Sequence, residues 1–248
     1  MFWIGTSWKM NKTRPEAAAF VETLFSAALP QPPEAQLFVV PPFTAIETVK
    51  ERAAGLPLLI GAQNVHAAAS GAYTGEISVA MLAELGCDLV EIGHSERRAL
   101  FGETDAAVNA KAKAILDKGL RPLICIGETA EERDRGAAHQ TVLRQAELAL
   151  AGIPNAQRQA CLLAYEPVWA IGEGGRPATP AAVAEVHHGL KTAFPECPLL
   201  YGGSVSAENC AALAALPDVD GLFIGRAAWQ AEGFLDIVTQ SLSARSRQ

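Results

Sequence analysis

Short apolar runs alternate with longer amphipathic stretches along the chain. The runs FWIGTS, QLFVVP, PLLIGA, DLVEIG, RPLICIG, ACLLAYE, PLLYGG and DGLFIG predict eight strands. They are apolar at successive positions and not at alternate ones, as strands covered on both faces must be, so they fit a parallel sheet. Between them, RPEAAAFVETLFSAAL, TAIETVKERAAG, DAAVNAKAKAILDKG and AAHQTVLRQAELALAG carry helical spacing, and several stop at a glycine. Strand then helix, repeated eight times, predicts an α/β chain closed as one (β/α)8 barrel. No linker, low-complexity tract or shift in composition divides residues 1–248, which favours one barrel domain over two doubly wound halves.

Composition sharpens this reading. Half the residues are apolar and only 6% are aromatic, which suits small side chains packing helices closely onto a sheet. The formal charge of -7, with no Lys/Arg block, argues against nucleic acid as a partner. An anionic ligand therefore needs a positive field built locally, from a few cations and from backbone N–H groups. Five cysteines without CxxC spacing indicate neither a disulfide framework nor a zinc knuckle. No apolar run is long enough to span a bilayer, and a soluble, cytoplasmic protein is expected. The five histidines lack ligand spacing, so neither metal nor cofactor is called for, and the HisHis pair of EVHHGL is assigned to an outer helix.

The polar exceptions gather after the strand ends, the face on which a barrel of this kind carries its chemistry. In AYEPVWAIGEGG, Glu166 closes an apolar run. It reads either as a solvated strand-end carboxylate or as a base beside a lid, with Pro167 fixing the exit and Ala170 to Gly175 supplying a small, bendable segment. Burial under such a lid favours the neutral acid and strengthens the carboxylate as a proton acceptor. His94, in IGHSERR, is either structural or a neutral donor held beneath a helix start by the dipole. Lys9, between Trp8 and Met10, offers a cation in an apolar setting, with Glu96 available to hold it. The turns YGGS and FIGR satisfy ordinary backbone geometry or form a phosphate cradle. Cys125 is expected to pack against the barrel wall and not to act as a nucleophile.

Over nearly the whole chain, WKMNK, GHSERR, ICIGET, AYEPVWAIG, YGGSV and DGLFIG resemble the motifs of the triosephosphate isomerase family, in order and spacing. That resemblance implies a cofactor-free aldose–ketose isomerase working through an enediolate, with dihydroxyacetone phosphate and glyceraldehyde 3-phosphate as its pair and a place in glycolysis and gluconeogenesis. It implies Glu166 as the base, Lys9 and neutral His94 as stabilisers of the enediolate, and Glu96 as support for Lys9. It places the lid at Pro167 through Pro177 and substrate contacts at Ser7, Lys9, Gly172, Gly203, Ser204, Gly225 and Arg226. It also implies a homodimer joined through the loop Gln63 to Ser78, which is long for a strand-to-helix connection.

Four positions depart from the family pattern: Ser7 stands where Asn is common, Lys12 where Gly is common, Glu173 at a lid Thr, and Arg226 at the second Gly of the last phosphate turn. Ser7 and Arg226 both touch the question of substrate. GTSWKMNKT with DGLFIGR also resembles a subgroup acting on a tetrulose phosphate, erythrulose 1-phosphate, so a four-carbon ketose phosphate stands as the alternative substrate. Two remoter readings are a barrel glycosidase using Glu96 with Glu166, and a barrel without catalysis.

Overall fold

A computed structural model describes residues 1–172 and 174–247. Eight strands form the closed sheet: β1 (Phe2–Ser7), β2 (Ala35–Val40), β3 (Leu58–Ala62), β4 (Leu89–Ile92), β5 (Arg121–Ile126), β6 (Leu162–Tyr165), β7 (Leu199–Tyr201) and β8 (Gly221–Ile224). Each pairs in parallel with its neighbours in chain order, and β1 closes on β8 through Trp3 opposite Gly221 to Thr6 opposite Ile224. The expected (β/α)8 barrel is therefore the observed one, with every predicted strand in its place.

Helices cover the outside: α1 (Arg14–Phe25), α2 (Ile46–Arg52), α3 (Val79–Glu84), α4 (Ser95–Phe101), α5 (Asp105–Asp117), α6 (Ala130–Asp134), α7 (Ala138–Ala149), α8 (Asn155–Arg158), α9 (Pro180–Ala193), α10 (Cys210–Ala214) and α11 (Ala231–Arg245). Their starts are chemically marked. At α6 the Thr129 hydroxyl accepts from the Glu132 N–H at 3.2 Å while the Glu132 carboxylate accepts from the Thr129 N–H at 2.8 Å, a reciprocal cap. The first helix ends earlier than its pattern suggested, at Phe25 and not at Leu29. Pro30 bars the helical conformation at the residue before it, and the chain turns at Ser26.

Side chains alternate between two apolar layers. Phe2, Ile4, Val90 and Ile92 face outward into the strand–helix core, whereas Trp3, Phe38, Leu89, Leu123, Cys125, Leu162 and Phe223 fill the barrel itself. Phe38 stacks on Phe223 with centroids 5.7 Å apart. Gly5 makes room for that ring, since a Cβ there would stand 2.2 Å from Phe38. Both histidines of EVHHGL lie on α9, an outer helix as expected. Although α9 is an outer helix, His187 turns inward, is fully buried against Tyr165 and Tyr201, and bonds the Asp218 carbonyl at 3.0 Å, while His188 remains exposed.

Apolar packing stops at the C-terminal ends of the strands. There a cavity of about 660 Å³ opens, and it is lined by Ser7, Lys9, His94, Glu96, Glu166, the lid and the turns after β7 and β8.

Candidate active site

Lys9 follows β1 in a left-handed conformation, φ 52°, which a non-glycine residue adopts at a cost of about 1–2 kcal/mol. Its turn is held from outside: Gln63 donates to the Lys9 carbonyl at 2.9 Å, and Asn11 donates to the Trp8 carbonyl at 2.8 Å. The strained turn delivers the ammonium to Glu96 Oε1 at 2.7 Å, so the expected Lys9–Glu96 pairing is present. The expected apolar flanks are only half present. Trp8 is fully buried, but Met10 is 96% exposed, because the chain leaves the barrel mouth immediately after Lys9.

His94 caps α4, and its Nδ1 accepts the Glu96 backbone N–H at 3.1 Å. That bond fixes the neutral ring with its proton on Nε2, the nitrogen lying 3.5 Å from Glu166 Oε2. The ring is pushed down to about 4, first by burial and next by the Lys9 cation, while the Glu96 carboxylate opposes the shift. Neutrality was anticipated from the helix start; burial is the larger cause, and the helix contributes through the N–H that it donates.

Glu166 follows β6 and is buried, which removes the reading of a solvated strand-end carboxylate. Its backbone N–H donates to the Ile126 carbonyl at 2.7 Å. Burial, reinforced by the nearby Glu91 charge, pushes its carboxyl up to about 8, against the pull of Lys9 and of a hydrogen bond from the Cys125 thiol. Its Oε2 has no hydrogen-bond partner among the described residues. Buried, lacking a partner and facing an imidazole N–H, that oxygen is available to take a proton from a ligand. Gly202 leaves space for it, since a Cβ at 202 would meet Glu166 Cγ at 2.7 Å and Oε1 at 3.0 Å.

The lid begins with a 3-10 turn, Val168–Ala170, and continues through Gly172 and Gly174, both at positive φ. Glu173 lies outside the described residues. Trp169 Nε1 donates to Glu128 Oε1 at 2.8 Å, and Tyr165 Oη and Arg133 reach the same oxygen at 3.2 and 3.1 Å. Ser204, expected beside phosphate, gives its hydroxyl to the Ala170 carbonyl at 2.5 Å, so what it leaves for the cavity is backbone. Gly172, Gly203, Gly225 and Arg226, for which the resemblance implies substrate contacts, line the cavity. Arg226 is exposed at the rim and makes no ion pair with another described residue. Glu96 is held by Lys9 and is half exposed, a poor second acid for a glycosidase.

Ser7 lines the cavity and points its hydroxyl downward, donating to Glu91 Oε2 at 2.8 Å. Glu91 and Glu128 are two residues to which the sequence reading gave no role. Both are buried carboxylates within apolar motifs, DLVEIG and ICIGET, and that contrast was the available signal. Among the described residues there is no cluster of His, Cys, Asp and Glu able to hold a metal ion, and no helix is long and apolar enough to cross a membrane.

A sequence profile described as triosephosphate isomerase matches residues 2–241. A Rhizobium etli protein is 50% identical over 251 residues, covering 99% of this chain and 94% of its own length, and is named L-erythrulose-1-phosphate isomerase. Proteins of the same name from Brucella abortus, 51% identical over 245 residues and 96% of each chain, and from Mesorhizobium japonicum, 47% identical over 252 residues and 98% of each chain, are similar throughout.

Proposed function

The chain belongs to the triosephosphate isomerase family, and from that premise we propose that it isomerises a four-carbon ketose phosphate, L-erythrulose 1-phosphate, as one barrel domain. It is an enzyme of the sugar-phosphate isomerase class. Between the two substrates left open by the sequence, the names of relatives at about half identity support the tetrulose, and the glycolytic placement tied to triose phosphate gives way. The observation that carries the chemistry is the meeting of three groups in one cavity: Glu166 with Oε2 unpartnered, His94 with Nε2–H toward it, and the Lys9 cation.

The carbon skeleton dictates the outcome. In L-erythrulose 1-phosphate the carbonyl is C2, and the adjacent carbon carrying a hydroxyl is C3. Glu166 takes the C3 proton, and the electron pair of that bond forms the C2–C3 enediolate. Lys9 and the His94 N–H stabilise the developing oxyanion, and His94 passes a proton between the C2 and C3 oxygens. Return of the proton from Glu166 to C2 leaves the carbonyl at C3. The product is then another ketose phosphate, and the aldose–ketose exchange expected for a triose does not apply to this substrate. The lid and the turns at Gly203 and Gly225, with Arg226, take the phosphate, and the closed cavity limits its loss from the enediolate. No step calls for a cofactor.

Ser7 makes room near the reacting carbons for the fourth carbon. The test measures kcat/KM for L-erythrulose 1-phosphate and glyceraldehyde 3-phosphate in the wild type and in Ser7→Asn. The tetrulose should be preferred, and Ser7→Asn should shift the ratio toward the triose. A wild type that prefers the triose, with a ratio unmoved by Ser7→Asn, overturns the assignment. The exposed loop tip, residues 69–76, supports the further proposal that two copies associate through Gln63 to Ser78.

A further inference from the structure

Glu91 is an anomaly of the barrel interior. On β4 the side chains alternate, with Val90 and Ile92 in the outer core and Leu89 in the inner one, so Glu91 shares the inward face one level above Leu89. It is 3% exposed and does not itself line the cavity. Its side-chain hydrogen bond among the described residues comes from Ser7 Oγ, at 2.8 Å. A carboxylate buried this deeply with a single hydroxyl partner costs stability, and an apolar side chain of similar volume would not. Burial accordingly pushes its carboxyl up to about 7, against the Ser7 bond and the Lys9 charge.

We infer that Glu91 is a positioning residue for substrate selection: it accepts a hydrogen bond from the Ser7 hydroxyl, so that Ser7 turns its oxygen lone pairs toward the cavity and accepts a hydrogen bond from the terminal hydroxyl of a four-carbon sugar phosphate. This rests on the substrate class proposed above and deepens it. The hydroxyl of Ser7 has one proton, and its direction toward Glu91 leaves only acceptor capacity for a ligand. A hydroxyl oxygen that presents only lone pairs suits an O–H group and offers no hydrogen bond to a phosphate or enediolate oxygen. The pair therefore reads the presence of a hydroxyl, a feature separate from the space that a serine provides. Sites built to hydrogen-bond a hydroxyl reject analogues lacking it far more strongly than apolar pockets reject a missing methylene. Ser7 is well placed to be precise, since its own carbonyl is fixed by Trp229 Nε1 at 2.9 Å.

The probe is the 4-deoxy analogue of L-erythrulose 1-phosphate, which keeps the carbon skeleton and loses only that hydroxyl. The ratio of kcat/KM for the sugar phosphate to that for the analogue is measured in the wild type, Ser7→Ala, Glu91→Met, Glu91→Gln and the double variant Ser7→Ala/Glu91→Met. A general structural defect slows both substrates and cancels in the ratio. The ratio should fall at least tenfold in Ser7→Ala and in Glu91→Met, and no further in the double variant. Glu91→Gln, whose amide oxygen accepts the same hydroxyl, should retain most of it. An unchanged ratio in Ser7→Ala overturns the inference even if Glu91→Met fails to fold, as does a full additional loss in the double variant. Turnover of the tetrulose with no hydroxyl discrimination in the wild type defeats the inference alone, whereas turnover of triose phosphate only defeats the substrate assignment.

Discussion

Gly202→Ala isolates the placement of the base. Gly202 is free of left-handed backbone geometry, so alanine carries no conformational penalty there, and the effect is one of space alone. The added methyl would stand 2.7 Å from Glu166 Cγ, 3.3 Å from Cδ and 3.0 Å from Oε1. Ordinary carbon contacts begin near 3.5 Å, so the side chain must give way by about 0.8 Å at Cγ, and the carboxylate is carried with it. The Glu166 main chain cannot follow, because its N–H is bonded to Ile126 and proline comes next, so the displacement falls on the side chain. Misplacing a reacting group by about 1 Å costs on the order of 10²-fold in rate, or about 2.7 kcal/mol of transition-state stabilisation. Phosphate contacts lie on other residues, so kcat should fall by about that factor while KM changes only a few-fold. Steady-state kinetics on L-erythrulose 1-phosphate, with urea midpoints to measure folding separately, test this. A variant within threefold of wild-type kcat would refute the claim that Gly202 exists to seat Glu166.

Four further outcomes are expected. Glu91 and Glu166, raised to about 7 and about 8, stabilise the fold below the unfolded carboxyl value near 4.5, and that stability is lost as pH rises through their folded values; urea unfolding should show roughly 3 kcal/mol or more lost between pH 5 and 8, and Glu166→Gln should flatten the curve. Trp169→Phe removes the 2.8 Å bond that ties the lid to Glu128, so inorganic phosphate released per turnover should increase, and an unchanged ratio counts against the lid as a shield. Lys12 holds φ 74° with its ammonium 5.3 Å from the Trp8 ring; Lys12→Gly relieves the backbone whereas Lys12→Ala keeps the strain and loses the ring contact, so Gly should exceed Ala by about 1 kcal/mol in unfolding. Sedimentation should find a dimer, and an active monomer at micromolar concentration would defeat association through residues 63–78.

The fold was legible because each strand is a bounded apolar run, a pattern that registers burial on both faces without knowledge of the partners. What burial leaves free was harder to read. The first helix overran its real end by a turn because alanine and leucine keep helical spacing past Ser26, while the stop comes from a proline beyond it. Lys9, His94 and Glu166 were visible as polar residues at strand ends in motifs with a family resemblance. Glu91 was not, because its strand otherwise reads as core, and its chemistry appears only when β1 brings Ser7 to within 2.8 Å across 84 positions of chain. Ser204 is a different case: the family resemblance places it beside phosphate, and its contact with the lid, a hydroxyl given to the Ala170 carbonyl, has no mark in the sequence.

The same geometry explains how a chain of net charge -7 can receive a phosphorylated anion. Three carboxylates, Glu91, Glu96 and Glu166, gather near the cavity, and if all were exposed and ionised they would oppose binding. Two of them are buried and held toward the neutral form, and the third is neutralised by Lys9 at 2.7 Å. Arg226, exposed at the rim, remains as a cation on the side where the backbone turns offer N–H groups. Burial thus does two things with one arrangement: it keeps the resting cavity from repelling its ligand, and it gives Glu166 the proton affinity that abstraction from carbon requires. A solvated Glu166 would lose both, and this is why the base stands beneath a lid and against a glycine.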